Sequence, residues 1–343
     1  MFELPEELIA QSPVQKRGES RLLVMNRDRK SIEHRMVKEL PSLLDNGILM
    51  VFNNSRVRKA RLYGIDKSGK SREFLLLNKA HNSDAIWNCM TKRVNRLKQG
   101  EEFYFDGKND KNKTAELISI DNDQCCLKFD SFLSESWFEE NGHIPLPPYI
   151  KREDNSEDEE RYQTIYAKEP GSAAAPTAGL HFTEEIFRGL KSAGIESAFI
   201  TLHVGAGTFL PVRSENVHEH KMHEEIYTID EENASRIEKA KKEKRKILCV
   251  GTTVIRCLEA AWKENITGEG SLMRGEGSTS IFIYPPYNFK VTDIIFTNFH
   301  TPASTLLMLV AAFAGRDFIL DSYKTAVENR YMFYSYGDAC LIL

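Results

Sequence analysis

The sequence contains no CxxC pair, no apolar run long enough to cross a bilayer and no excess of positive charge. Each absence removes a class of function. Its six cysteines are dispersed apart from adjacent Cys125 and Cys126, which suits free thiols in a reducing compartment better than a zinc site or a disulfide framework. The longest apolar run, Leu306 to Ala314, is about half of what a spanning helix needs. Glu3, Glu6 and Glu7 precede Arg17, and no basic stretch leads into an apolar one. The N-terminus therefore does not read as a signal peptide, and a cytoplasmic location is expected. A net charge of −4 over 343 residues excludes a protein that coats nucleic acid indiscriminately, while leaving room for a local basic patch. Neither GxGxxG, nor a GxxxxGK phosphate loop, nor GxSxG occurs, which argues against dinucleotide redox chemistry, P-loop phosphoryl transfer and the common serine-hydrolase elbow. What is present, 41% hydrophobic and 28% charged residues, is ordinary globular composition.

Two rhythms divide the chain. Residues 61–65, 73–77, 85–90, 101–105, 114–120 and 125–129 read as short strands punctuated by Gly69, Gly100, Gly107 and Asn/Asp turns. Six strands without an intervening helix predict a small β-barrel or sandwich, followed by a helix near residues 131–140. The stiff Pro145-Leu146-Pro147-Pro148 cluster and an acidic loop from Glu153 to Glu160 come next. From about residue 180, helices and strands alternate: helices open at Thr183, Asp230, Thr252 and Ala303, with strands at 197–204, 225–229, 247–250, 281–284 and 293–296. That is the α/β pattern, and the apolar strand at 48–52 resembles it. The expected fold is a main α/β domain (residues 1–60 and 145–343) carrying an inserted small β-barrel domain (61–144).

Three apolar strands exit into small polar residues: Val204-Gly205-Ala206-Gly207-Thr208, Val250-Gly251-Thr252-Thr253, and Phe296-Thr297-Asn298-Phe299-His300 running on to Ser304-Thr305. In open α/β sheets such exits line the ligand crevice, and the free N–H groups of the next helix suit an anionic group. For any single exit, turn-making and helix capping are the better explanation of the residues; three in one half favour a crevice. The loop Ala173 to Phe182 is too rich in small residues for a strand and too apolar for an exposed loop. It suits close approach to a planar ligand, with His181 as acid or base, or a tight packing seam around a core histidine. His218, His220 and His223 lack the second histidine of HExxH, Met222 standing in its place, so a polar wall or surface run outweighs zinc. Among the basic clusters, Lys239 to Lys246 suits a helix C-terminus. Arg56, Arg58 and Arg61, with Lys92, Arg93 and Arg96, are candidate phosphate contacts.

At these residues the chain resembles the S-adenosylmethionine:tRNA ribosyltransferase-isomerase family of queuosine biosynthesis. The resemblance runs nearly end to end, through Leu4 to Gln11, Phe52 to Val57 with Ala60 to Leu62, Gly142 to Ile150, Tyr162 to Tyr166, Ala175 to Phe182, Thr201 to Phe209, Val250 to Thr253, Thr297 to His300 and Ser335 to Ala339. Thr301, Ala303 and Met332 depart from the family's usual residues. The resemblance implies an α/β domain with a β-barrel. It also implies transfer and isomerisation of the ribosyl part of S-adenosylmethionine, a co-substrate, onto 7-aminomethyl-7-deazaguanine at the wobble position of a GUN-anticodon tRNA. The products would be epoxyqueuosine-tRNA, adenine and methionine. No metal, no membrane and a monomer are expected; another S-adenosylmethionine-dependent tRNA-modifying enzyme, such as a methyltransferase, is the alternative. His181 or Glu225 is expected as base, and Asp338 or Glu225 beside the sulfonium with Tyr336 in cation–π contact. Substrate binding is expected from Thr177, Gly179, His203, Gly205, Gly207, Thr208, His223, Thr252, Thr253, Asn298, His300, Ser304 and Thr305.

Overall fold

A computed structural model describes residues 2–80, 83–108, 111–121, 124–205, 220, 222–264 and 270–343. In chain order its strands are β1 (Arg21–Asn26), β2 (Ser31–Met36), β3 (Leu49–Asn53), β4 (Ser55–Val57), β5 (Arg61–Asp66), β6 (Ser71–Lys79), β7 (Ile86–Met90), β8 (Glu102–Phe105), β9 (Lys113–Asp121) and β10 (Gln124–Phe129). They continue with β11 (Glu169–Ser172), β12 (Glu196–Leu202), β13 (Glu225–Ile229), β14 (Ile247–Val250), β15 (Trp262–Glu264), β16 (Gly270–Leu272), β17 (Gly275–Thr279), β18 (Ile294–Asn298) and β19 (Ala339–Ile342).

Nine of these form one sheet in the order β17-β13-β12-β3-β14-β18-β19-β1-β2. At its centre β12, β3, β14 and β18 run parallel. Every residue of β3, β14 and β18 is buried, as expected of parallel strands covered on both faces. One face packs on the helices Glu231–Lys242, Thr252–Ala261, Thr305–Ala314 and Arg316–Glu328; the other packs on Glu184–Ser192. Helix starts follow the capping chemistry: Thr183, Asp230 and Ser304 each accept a hydrogen bond from the backbone N–H three residues on. Thr252–Ala261 differs. Its N-cap is Gly251 at φ 91°, with no side chain capping the first turn.

Strands β5 to β10 close into a six-stranded antiparallel barrel, order β10-β7-β6-β5-β8-β9. Alternate residues Leu62, Phe74, Trp87, Phe103, Phe105, Leu117 and Phe129 fill it, and the helix Glu135–Asn141 adds Trp137 and Phe138 to the same core. The protein is thus an α/β body with an inserted barrel. The short ladder of β4 with β11 and the Arg61–His143 bridge lie where the chain passes between the two.

Four local expectations change. The stretch from Glu153 to Glu160, expected as an acidic loop, carries the helix Ser156–Arg161, capped by Asn155 and with Asp158 buried. The helix expected from residue 131 starts at Glu135, because Ser134 supplies the cap. Residues 281–284 are not a strand; the outer neighbour of β13 is β17, where Gly277 lies opposite Tyr227 and leaves room for its ring. The sequence reading also missed β1, β2 and β19, which extend the sheet at one edge. All six cysteines are buried free thiols. Among the described residues, no helix is long and apolar enough to cross a membrane.

Candidate active site

The parallel strands β12, β14 and β18 end at one side of the sheet, and the segments leaving them meet around a cavity of about 930 Å³. Val204 arrives from β12, Gly251 to Thr253 from β14, and Thr297 to Ser304 from β18. The small-residue loop supplies Ala175 to Ala178, while Phe2, Glu3, Pro148, Tyr149, Tyr334 and Ser335 complete the wall. The location is the crevice beyond the carboxyl ends of parallel strands. The volume lies near the upper end of the roughly 300–1,000 Å³ typical of small-molecule sites.

Six of the residues singled out from the sequence line this cavity: Thr177, Thr252, Thr253, Asn298, His300 and Ser304. Ser304 is committed to capping, accepting from Leu307 N–H at 3.1 Å and donating to the Thr301 carbonyl; Thr305 is the first residue of the helix behind it. Thr253 Oγ1 and Asn298 Oδ1 are buried without a hydrogen-bond partner. Such groups cost stability unless a ligand satisfies them. The first N–H groups of the uncapped helix at Thr252 lie beside Thr253, so donors and an open hydroxyl converge there. His300 is buried, which pushes its imidazole down to about 3, so it is neutral at pH 7; its Nε2 pairs with Thr297 Oγ1 at 3.2 Å.

His181 stands one layer behind. Its Nε2 is 3.0 Å from Asn298 Nδ2 and its Nδ1 3.0 Å from Ser20 Oγ. Because Asn298 Nδ2 also donates to the Tyr334 carbonyl, the amide orientation is set: Asn298 donates to His181 Nε2, and Nδ1–H donates to Ser20. Burial, aided by Arg17, lowers the imidazole to about 4. Both ring nitrogens are occupied, and His181 borders a second, much smaller cavity with Arg17, Arg161 and Tyr336.

The other candidates lie outside the large cavity's lining. Glu225 is buried in an ion pair with Arg256 and accepts from Gly205 N–H at 3.4 Å, one residue beyond Val204. Asp338 accepts from the N–H groups of Arg21 and Met332, both at 2.8 Å, fastening the segment before β19. Tyr336 donates to Asp158 at 2.7 Å, and Asp158 is held in turn by Arg152 through two bonds. Burial alone would raise the Asp158 carboxyl; these hydrogen bonds together outweigh it and keep the group below its usual range. Gly179 packs where a Cβ would fall 2.1 Å from the Tyr166 hydroxyl. The His203 ring covers Gly171 and carries a buried, unpartnered Nδ1, its pKa lowered by burial. His223 is exposed and His220 sits against Phe282. Gly207, Thr208 and His218 lie outside the described residues, among which no cluster of three metal-ligating side chains occurs.

The basic residues split into two groups. Arg58 and Arg61 bind across the junction: Arg58 pairs with Glu135, and Arg61 donates to the Leu146 carbonyl at 2.6 Å and lies 3.4 Å from Glu73. Lys92, Arg93 and Arg96 are exposed on the barrel, and Arg56 is exposed with Glu139 at 3.7 Å.

Against known proteins, the model of a family described as "Queuosine biosynthesis protein" matches residues 1–342. The chain belongs to the queuosine biosynthesis family. A relative from Treponema denticola, named S-adenosylmethionine:tRNA ribosyltransferase-isomerase, is 50% identical over 100% of this chain and 98% of its own length. One of the same name from Sulfurihydrogenibium is 46% identical at the same coverage. A crystal structure of S-adenosylmethionine tRNA ribosyltransferase from Thermotoga maritima aligns with a TM-score of 0.55 and 36% identity, covering 100% of this chain and 99% of that one. In this member of the queuosine biosynthesis family, the sequence reading overlooked Glu3, Tyr149 and Tyr334 as cavity residues. Tyr149 ends the Pro-Pro-Tyr stretch already singled out, which was the available signal; Glu3 and Tyr334 carried none.

Proposed function

We propose that this chain transfers the ribosyl part of S-adenosylmethionine to the aminomethyl group of 7-aminomethyl-7-deazaguanine in tRNA and isomerises it, yielding epoxyqueuosine-tRNA, adenine and methionine. The observation that carries the reading is the end-to-end match, at 46–50% identity, with relatives bearing the ribosyltransferase-isomerase name. The cavity agrees with it in kind. Its volume accommodates a nucleoside donor beside an extruded base, and its open hydrogen-bonding groups sit where three strand exits meet.

The sulfonium acidifies the adjacent C5′ hydrogens of the ribose, so a positioned base removes one and adenine departs as the sugar rearranges. In this reading the methionyl carboxylate rests on the N–H groups at Thr252–Thr253, and Asn298 Oδ1 accepts from a donor hydroxyl or amine. His181 is the positioning residue that holds Asn298, and Glu225, held by Arg256 and by Gly205 N–H, secures the exit of β12 beside the cavity. Asp338 and Tyr336 fasten the segment that carries Tyr334 and Ser335 onto the cavity. The wobble base sits in a single-stranded loop, which makes its extrusion inexpensive; Lys92, Arg93 and Arg96 contact phosphates. A GUN-anticodon tRNA, a cytoplasmic setting and a monomer belong to the same reading, and the chemistry as written calls for no metal. Incubation with precursor-bearing tRNA tests it: free adenine and a heavier nucleoside support it, whereas S-adenosylhomocysteine would point to a methyltransferase.

A further inference from the structure

Tyr149 and Tyr334 meet on the cavity wall with ring centroids 3.9 Å apart and planes inclined by 35°. Each hydroxyl is tied down, Tyr149 to Ser335 and Tyr334 to the Thr301 side chain. The Tyr334 backbone is left-handed, φ 70°, a conformation that a bulky residue holds only where its surroundings impose it. Those surroundings are cavity residues: Tyr334 N–H donates to the Phe299 carbonyl at 3.2 Å, and its own carbonyl accepts from Asn298 Nδ2 at 3.1 Å. Strain is thus maintained to aim one aromatic ring. Both rings are only half-buried, so the stack keeps surface open to the cavity instead of closing into core.

We propose that Tyr334, backed by Tyr149, is a stacking platform for a planar purine-like ring. The assignment rests on the proposed activity, which brings two such rings to the site: the adenine of the donor and the deazaguanine of the acceptor. Both offer the same π-face, and a tyrosine with a rigid backing binds such a face with little loss of rotamer freedom.

The test compares wild type with Y334L and Y334F by calorimetric titration, using S-adenosylmethionine, precursor-bearing tRNA and the same tRNA carrying guanine. For whichever ligand supplies the ring, Y334L binds about 10- to 100-fold more weakly and Y334F within about threefold. A loss confined to S-adenosylmethionine identifies adenine; a loss confined to precursor-bearing tRNA identifies the acceptor base. In Y334W the new indole is quenched on saturation relative to wild type, whose own tryptophans are Trp87, Trp137 and Trp262. This reading holds even where Y334L fails to fold. Unchanged affinities in Y334L, or no added quenching in Y334W at saturation with both ligands, overturns the platform. If wild type still releases adenine, the activity stands without it; if wild type binds neither ligand, both fall.

Discussion

His181 and Asn298, 117 positions apart in the chain, share a 3.0 Å hydrogen bond that leaves Asn298 Oδ1 as an open acceptor at the cavity. The imidazole serves the site through the amide. H181A and N298A should each raise KM for S-adenosylmethionine, by roughly tenfold for one lost hydrogen bond to a buried group. The double variant should be little worse than either single one, because both remove the same contact. Steady-state adenine release measures this; additive losses would show that His181 acts on its own.

Two neutral histidines lie in the interior, His181 lowered to about 4 and His300 to about 3, both mainly by burial. Unfolding returns each to about 6.5. The unfolded chain therefore binds more protons below that pH, and stability is lost as pH falls from 6.5 toward those values. The slope is on the order of 1 kcal/mol per pH unit for each ring. Denaturant titrations between pH 7 and pH 4.5 should show a shallower decline in H181Q/H300Q than in wild type; parallel declines would contradict the assignment.

Thr253 Oγ1 is buried and has no hydrogen-bond partner within the protein. T253V keeps the shape and removes the unsatisfied hydroxyl, so melting temperature should hold or rise while donor affinity falls by about three- to tenfold. Calorimetry with S-adenosylmethionine and a thermal melt give the two numbers. A lower melting temperature with unchanged affinity would make the hydroxyl structural.

The exposed trio Lys92, Arg93 and Arg96 should weaken tRNA binding uniformly when neutralised, and lower the salt slope by about 0.7–0.9 per lost phosphate contact. R58A and R61A should act differently, reducing melting temperature through the lost Glu135 and Leu146 bonds. Filter binding across a salt series separates the groups, and an unchanged slope in the trio variant would place the tRNA elsewhere.

The barrel was legible because its strands alternate buried and exposed residues between glycine and asparagine turns, as in β5, where Leu62 and Gly64 are buried while Tyr63 and Ile65 are exposed. The cavity's three strand exits were legible because small polar residues follow fully buried apolar runs. Less visible was β17, Gly-Glu-Gly-Ser-Thr, whose place in the sheet depends on the Tyr227 ring crossing Gly277, a tertiary fact with no local period. The run at 281–284 has strand composition, yet Ile281 N–H turns back onto Thr279 Oγ1 and the ladder stops. Residue type marked His181, Asp338 and Tyr336 as chemistry, but the groups that occupy their polar atoms come from distant segments. The Tyr149–Tyr334 stack is of the same kind, created by folding alone.

The central proposal is that the donor's sugar, not its methyl group, moves. S-adenosylmethionine carrying ¹³C in the ribose, incubated with the protein and precursor-bearing tRNA, gives the most direct measurement. Mass spectrometry should find all five labelled carbons in the modified nucleoside, with one adenine and one methionine released per transfer. Labelled ribose recovered only in small-molecule products, with the tRNA gaining a methyl group or nothing, would contradict the account.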